Sequence, residues 1–225
     1  MAEKYGTIPK KFTREWWEYF WMYYKTYVIV AVLVIITGTV TAHQILTAPK
    51  YDITVTYAGF GSFTEKMSDE VVSTLSPMCK DVDGNGEKSL NFTQINLNTD
   101  DEAYNASMSS KLFLSLSEED VYIYIMDAKT ADMYIPAASE SNFVPVSDWY
   151  KGDISEKGKY EKDGLAFGVE LTDCAAFKEI ARKTNADFAG NYLFVRYYPR
   201  EDQIEEQLEG YNAAKELAAK IVTGK

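Results

Sequence analysis

Three oxygen-bearing side chains, Asp81, Asp83 and Asn85, stand at alternate positions and run into Gly86. Oxygen ligands spaced in this way around a tight glycine turn suit a hard cation such as calcium. The same run also makes an ordinary Asp/Asn/Gly turn, and the sequence favours the turn. Other chemistry is poorly provided for. A Ser/His/Asp set or a zinc centre of the usual His/Cys kind needs histidine, and the single one, His43, falls at the end of an apolar stretch. Carboxylate pairs such as Glu118 with Glu119 and Glu201 with Asp202 lie in polar breaks, where solvation is the default reading. No phosphate-cradling loop of the GxxxxGKS/T or GxGxxG kind is present. These residues point away from an enzyme and, calcium apart, away from a cofactor.

The elements that must position them begin with Tyr27 to Leu46, the one stretch that water solvates poorly. From Thr26 to Pro49 no charged residue occurs over 24 positions, which is roughly 36 Å of helix. A hydrocarbon core is about 30 Å thick. The stretch therefore reads as a single-pass signal anchor in the cell membrane. Lys4, Lys10, Lys11, Arg14 and Lys25 precede it and only Lys50 follows closely, which places the N-terminus in the cytoplasm and the C-terminal domain outside. Trp16, Trp17, Trp21 and Tyr24 sit just ahead of the span, where aromatic rings anchor at the headgroup level. Phe12, Trp16, Phe20 and Tyr24 recur at helical spacing, so this segment is expected to lie along the cytoplasmic interface before turning in. An aromatic belt is the simpler reading, a partner-binding helix the other. A secretory signal cut after Ala42 is the competing view of the whole leader, but the apolar character continues through Ile45 and Leu46.

The 225 residues thus divide into a leader, 1–25, an anchor, 26–49, and one extracytoplasmic domain, 50–225. With 5 of the 23 basic and 3 of the 34 acidic residues ahead of the span, the outer part carries a net charge of −13. That argues against nucleic acid as a partner. The partners expected are the lipid bilayer and another membrane protein or complex. Cys79 and Cys174 allow at most one bridge and read as two buried thiols.

In the outer part, Tyr51 to Tyr57 and Ser89 to Asn98 alternate as strands, the second changing phase near Thr93 as a bulge would. Val121 to Met126 is apolar throughout, as in a sheet centre covered on both faces. Between them lie a helix capped by Thr64 and one opened by Asp100, with Tyr104, Met108, Leu112 and Leu116 expected inward. Strand, helix, strand, helix, strand implies a layered α/β domain with a mostly parallel sheet. A further strand at Tyr192 to Tyr198, stopped by Pro199, and a last helix striped by Ile204, Leu208, Tyr211, Leu217 and Ile221 complete it. Open sheets bind ligands outside the carboxyl ends of their strands, which nominates Gly59, Phe60 and Gly61 after the first strand and Asp127 after the third. The alternative is that these are well-packed connections.

Two resemblances follow. Asp81-Val82-Asp83-Gly84-Asn85-Gly86 resembles the first half of an EF-hand calcium loop, with Phe92 where that family has its twelfth-position carboxylate. Lys111-Leu112, the strand run from Asp120 through Tyr124, and Phe143-Val144-Pro145-Val146-Ser147-Asp148-Trp149 resemble the first lobe of extracellular solute-binding proteins of ABC transporters, of the type II periplasmic-binding kind. Gly164 to Leu171 looks like that family's strand returning to its cleft. The resemblance covers Tyr51 to about Leu171, with Glu119 where the family has proline and without a second lobe. It implies the fold of one lobe. A clamp closes with two, so it implies an accessory or interaction protein more readily than a ligand-capturing one. If the anchor stays in place, an N-terminal tag is retained on the protein in membrane fractions, as seen by immunoblot; quantitative loss of the tag would establish cleavage.

Overall fold

A computed structural model of the protein describes residues 9–47, 50–97, 101–118, 121–155, 157–197 and 205–224. Asp100, Glu119, Asp120, Pro199, Glu201, Asp202 and Ile204 lie outside the described residues. The chain divides into two compact units, Met1–Pro49 and Lys50–Lys225.

The first unit contains one helix, α1 (Arg14–Thr47), of 34 residues, about 51 Å at 1.5 Å per residue. It is long and apolar enough to cross a membrane. The turn expected after the aromatic segment does not occur, and α1 runs unbroken from Arg14. No proline interrupts it, and the rings of Trp16, Phe20 and Tyr24 stack at successive centroid distances of 5.4 Å along one face, the i, i+4 contact that favours continued helix.

The second unit is a six-stranded sheet in the order β2-β1-β3-β6-β5-β4. The strands are β1 (Ile53–Gly59), β2 (Leu90–Asn96), β3 (Val121–Asp127), β4 (Lys159–Lys162), β5 (Leu165–Glu170) and β6 (Asn191–Val195). The sheet is mixed and not mostly parallel. β1 is parallel to β2 and to β3, whereas the pairings β3–β6, β6–β5 and β5–β4 are antiparallel. The difference lies in the connections. Helices α2 (Glu65–Leu75) and α3 (Glu102–Ser115) carry the chain back across the sheet between the parallel strands. Asp163 and Gly164, both at positive φ (51° and 79°), instead make a two-residue hairpin that reverses the chain directly from β4 to β5. β6 starts where β5 ends, with Glu170 opposite Tyr192.

Helices cover both faces. The larger core, under α2, α5 (Ala175–Thr184) and α6 (Glu205–Thr223), gathers Val55, Tyr57, Leu75, Ile123, Phe177 and Leu217; the smaller, under α3 and α4 (Ala128–Tyr134), gathers Leu112, Tyr124, Met126, Phe167 and Phe194. Ala214 and Ala218 are buried, which lets α6 approach closely. Thr64 caps α2 as expected, its hydroxyl oxygen accepting from the Met67 N–H. α3 is capped by Asp101. Tyr104 is exposed because the inward direction of α3 follows Asn105, Met108 and Leu112, a residue further round, and Leu208 on α6 is exposed as well. No bulge occurs in β2, whose pairing with β1 is unbroken; the register shift lies between Thr54 and Val55 against β3. The mixed pattern of β2 reflects its place at the sheet edge. Cys79 and Cys174 are free and buried, and burial pushes both thiols up to about 12.

Truncating Ile123, which is fully buried in β3, to alanine is expected to cost about 3 kcal/mol in urea unfolding. Ser73→Ala on the exposed side of α2 is expected to stay within about 0.5 kcal/mol of wild type.

Candidate functional site

The crossover through α2 packs on one face of the sheet and that through α3 on the other, since Val71 and Leu75 join the larger core and Leu112 the smaller. The strand order therefore reverses between β1 and β3, and the crevice of an open sheet falls outside their carboxyl ends. Gly59, Phe60, Gly61 and Asp127 do meet there. Asp127 caps α4, one carboxylate oxygen accepting from the Thr130 N–H at 2.8 Å, while its other oxygen accepts from the Phe60 N–H at 2.5 Å. The Gly61 N–H donates to the Tyr57 hydroxyl oxygen at 3.0 Å. Gly59 is required by this closeness: a Cβ there would stand 2.6 Å from the Asp127 carboxylate and 2.7 Å from the Tyr57 hydroxyl.

Burial, with a smaller contribution from the charge of Asp127, pushes the Tyr57 phenol up to about 12, so it remains a neutral hydroxyl. The Lys129 ammonium lies 3.5 Å from the centre of the Phe60 ring, a cation–π contact. Two polar atoms near this edge have no hydrogen-bond partner, the buried Thr130 hydroxyl and the Asn96 amide oxygen at the end of β2. Further along, the Glu170 carboxylate accepts from the Gly190 N–H at 2.9 Å and that of Asp173 from the Gly158 N–H at 2.6 Å. Carboxylates along this edge hold loops.

This chain matches no family model, no curated protein and no solved structure. The residues themselves carry the reading.

Asp81, Asp83 and Asn85 form a loop that closes on itself. The Asp81 carboxylate accepts from the Gly84 and Gly86 N–H groups at 2.7 and 2.9 Å. That of Asp83 accepts from the Asn85 main-chain and side-chain N–H groups, and the Asn85 amide oxygen accepts from the Glu87 N–H. Phe92 packs beside Phe63 toward the core, so the twelfth-position carboxylate is not replaced from β2. Asp52, just ahead of β1, comes close instead: one oxygen from each of Asp52, Asp81 and Asp83 lies within 4.8 Å of the others. That spacing is compatible with ligands at about 2.4 Å from one cation, and calcium takes six to eight oxygens, so the three would supply a minority of its shell. Nothing in the local sequence joins Asp52 to this loop; its strand pairing does so.

Burial raises the Asp52 carboxyl, but hydrogen bonds from Ser89, Val82 and Asp83 together outweigh this and hold its pKa below the ordinary value. A carboxyl lowered on folding contributes stability that is fully present above its unfolded pKa, near about 3.9, and is lost as pH falls through the folded value. Asp52→Asn is therefore expected to flatten the loss of thermal stability below about pH 4, with little change in that slope at neutral pH. Asp127→Ala leaves the Phe60 and Thr130 N–H groups without their acceptor and is expected to cost about 2 kcal/mol in chemical unfolding. Because the Asp81 loop is closed by its own hydrogen bonds, a chelator is expected to leave the melting temperature unchanged. A rise on adding millimolar calcium, lost in Asp52→Asn, would instead make the three aspartates ligands.

Proposed function

We propose that this chain is a single-pass membrane protein whose N-terminus is cytoplasmic and whose outer domain is a non-catalytic accessory or interaction module, built like one lobe of an ABC-transporter solute-binding protein. The observation that carries the reading is the Asp127 tie. At the sheet edge where a ligand of such a lobe would sit, the protein's own carboxylate spans Phe60 and Thr130, and Gly59 lies against it. Main-chain donors that could have received a ligand are already engaged.

The buried segment Phe143 to Trp149, in which Phe143, Val144, Val146 and Trp149 pack inward, fits the likeness to that lobe. The bilayer is one partner, through α1 and its collar of Trp16, Trp17, Trp21 and Tyr24, and a second membrane protein or complex is the other. The unpartnered Thr130 hydroxyl and Asn96 amide oxygen favour a second reading, a tethered module binding a small molecule or peptide at that edge. In that reading Gly59, Phe60, Gly61 and Asp127 line the site, and Asp127 exchanges a main-chain partner for the ligand.

Cross-linking in native membranes followed by capture of the tagged chain is expected to bring down a different membrane protein; recovery of this chain alone would overturn the accessory reading. A thermal-shift screen of sugars, amino acids and short peptides is expected to give no stabilising hit. A hit abolished by Asp127→Asn would move the assignment to the second reading. Protease added to intact cells is expected to remove the domain beyond residue 50, and its survival there would reverse the orientation.

A further inference from the structure

Asn85 is exposed, and of the nine asparagines in the chain it alone is followed by glycine. A bond between its side-chain amide carbon and the Gly86 main-chain nitrogen closes a five-membered ring. Glycine leaves that nitrogen unscreened: a Cβ built on Gly86 would meet nothing within 4 Å, and neighbouring Gly84 is equally open. Each of the other eight asparagines precedes a residue whose side chain stands in the way.

The closed loop works against this ring closure. The Gly86 N–H donates to the Asp81 carboxylate at 2.9 Å. The Asn85 side chain is held at both ends, its Nδ2 donating to Asp83 at 2.8 Å and its Oδ1 accepting from the Glu87 N–H at 2.7 Å. A main-chain nitrogen attacks only after losing its proton, and a hydrogen bond to a charged acceptor keeps the proton in place. The negative charge left on the nitrogen is also disfavoured by the carboxylates around it, since one oxygen from each of Asp52, Asp81 and Asp83 lies within 4.8 Å of the others.

We propose that Asn85 is a site of spontaneous deamidation and that the Asp81 carboxylate restrains the reaction while the loop is closed. The Gly86 nitrogen gives its proton to solvent base and bonds to the Asn85 Cγ, and Nδ2 takes a proton and leaves as ammonia. Water then opens the resulting succinimide. Cleavage at Cγ gives aspartate in an ordinary main chain; cleavage at the main-chain carbonyl carbon gives an isoaspartyl link. One water is consumed, one ammonia is released, and nothing is oxidised or reduced. The product lacks the Nδ2 donor and sets a carboxylate against that of Asp83. The same loop is tied to the start of β1, where Asp52 accepts from the Val82, Asp83 and Ser89 N–H groups. Repulsion there loosens the join between the starts of β1 and β2. The proposal is independent of the membrane and accessory readings.

Incubation of the full chain in detergent at mildly alkaline pH, folded or in urea, followed by peptide mapping with mass spectrometry, tests it. In urea, Asn85 is expected to convert at least about tenfold faster than any other asparagine, and in the folded protein at least about tenfold slower than in urea. Asp81→Ala in the folded protein is expected to convert at least about threefold faster than wild type. Asp81→Asn, which keeps an acceptor but not the charge, is expected to fall between the two. Equal rates at Asn85 in the folded and unfolded wild type, or another asparagine converting first in urea, would overturn the proposal without recourse to a variant. It would fail equally if either Asp81 variant, shown folded by circular dichroism, converted no faster than wild type.

Discussion

The domain from Lys50 to Lys225 depends on the complete burial of β3. Tyr122 to Met126 are at most 5% exposed, which requires a neighbour on each side and a layer on each face. β1 supplies one side in parallel and β6 the other in antiparallel. Those two pairings fix where the parallel half of the sheet meets the antiparallel half. From Ile123 on, the alternating residues of β3 also divide the core: Ile123 and Ile125 belong to the side under α2, α5 and α6, and Tyr124 and Met126 to the side under α3 and α4, while Tyr122, at the register shift against β1, joins the first side. Apolar transfer supplies the drive, at about 25 cal/mol for each Å² removed from water, and the main-chain ladder satisfies the polar groups that burial would otherwise strand.

Around that centre, acidic residues do much of the tying of loops. Asp52 joins the start of β1 to the loop before β2, Asp127 joins the loop after β1 to α4, and Glu170 joins the end of β5 to the turn before β6. Each accepts from main-chain N–H groups, the stronger kind of hydrogen bond because one partner is charged. An acidic composition is thus partly structural and partly solvating, which composition alone does not separate.

The periodic parts of the fold were legible from residue order. The alternation in β1, the continuous apolar run of β3, the Thr64 cap and the long apolar stretch of α1 are local signals, and each has its counterpart in the structure. The placement of Gly59, Phe60, Gly61 and Asp127 at one edge was also legible, because crossover geometry alone brings the ends of β1 and β3 together. Strand direction beyond β3 was not, since it hangs on the two-residue turn at Asp163 and Gly164 and on where β6 begins. Nor was the role of Asp52, whose meeting with Asp81 and Asp83 is made by pairing between strands far apart in sequence. Tyr104 and Leu208 misled because a helical stripe fixes a face only to within one residue.

The unbroken length of α1 has a mechanical meaning. At about 51 Å it exceeds a bilayer of about 40–45 Å including headgroups, and it has no internal joint with which to shorten itself. If α1 spans a bilayer, as proposed above, a change in lipid thickness is met by leaning of the whole rod or by sliding of its aromatic-ringed end through the headgroup layer. In a bilayer α1 would then act as a gauge: the depth at which Trp16, Trp17, Trp21 and Tyr24 came to rest would register how thick the surrounding lipid is.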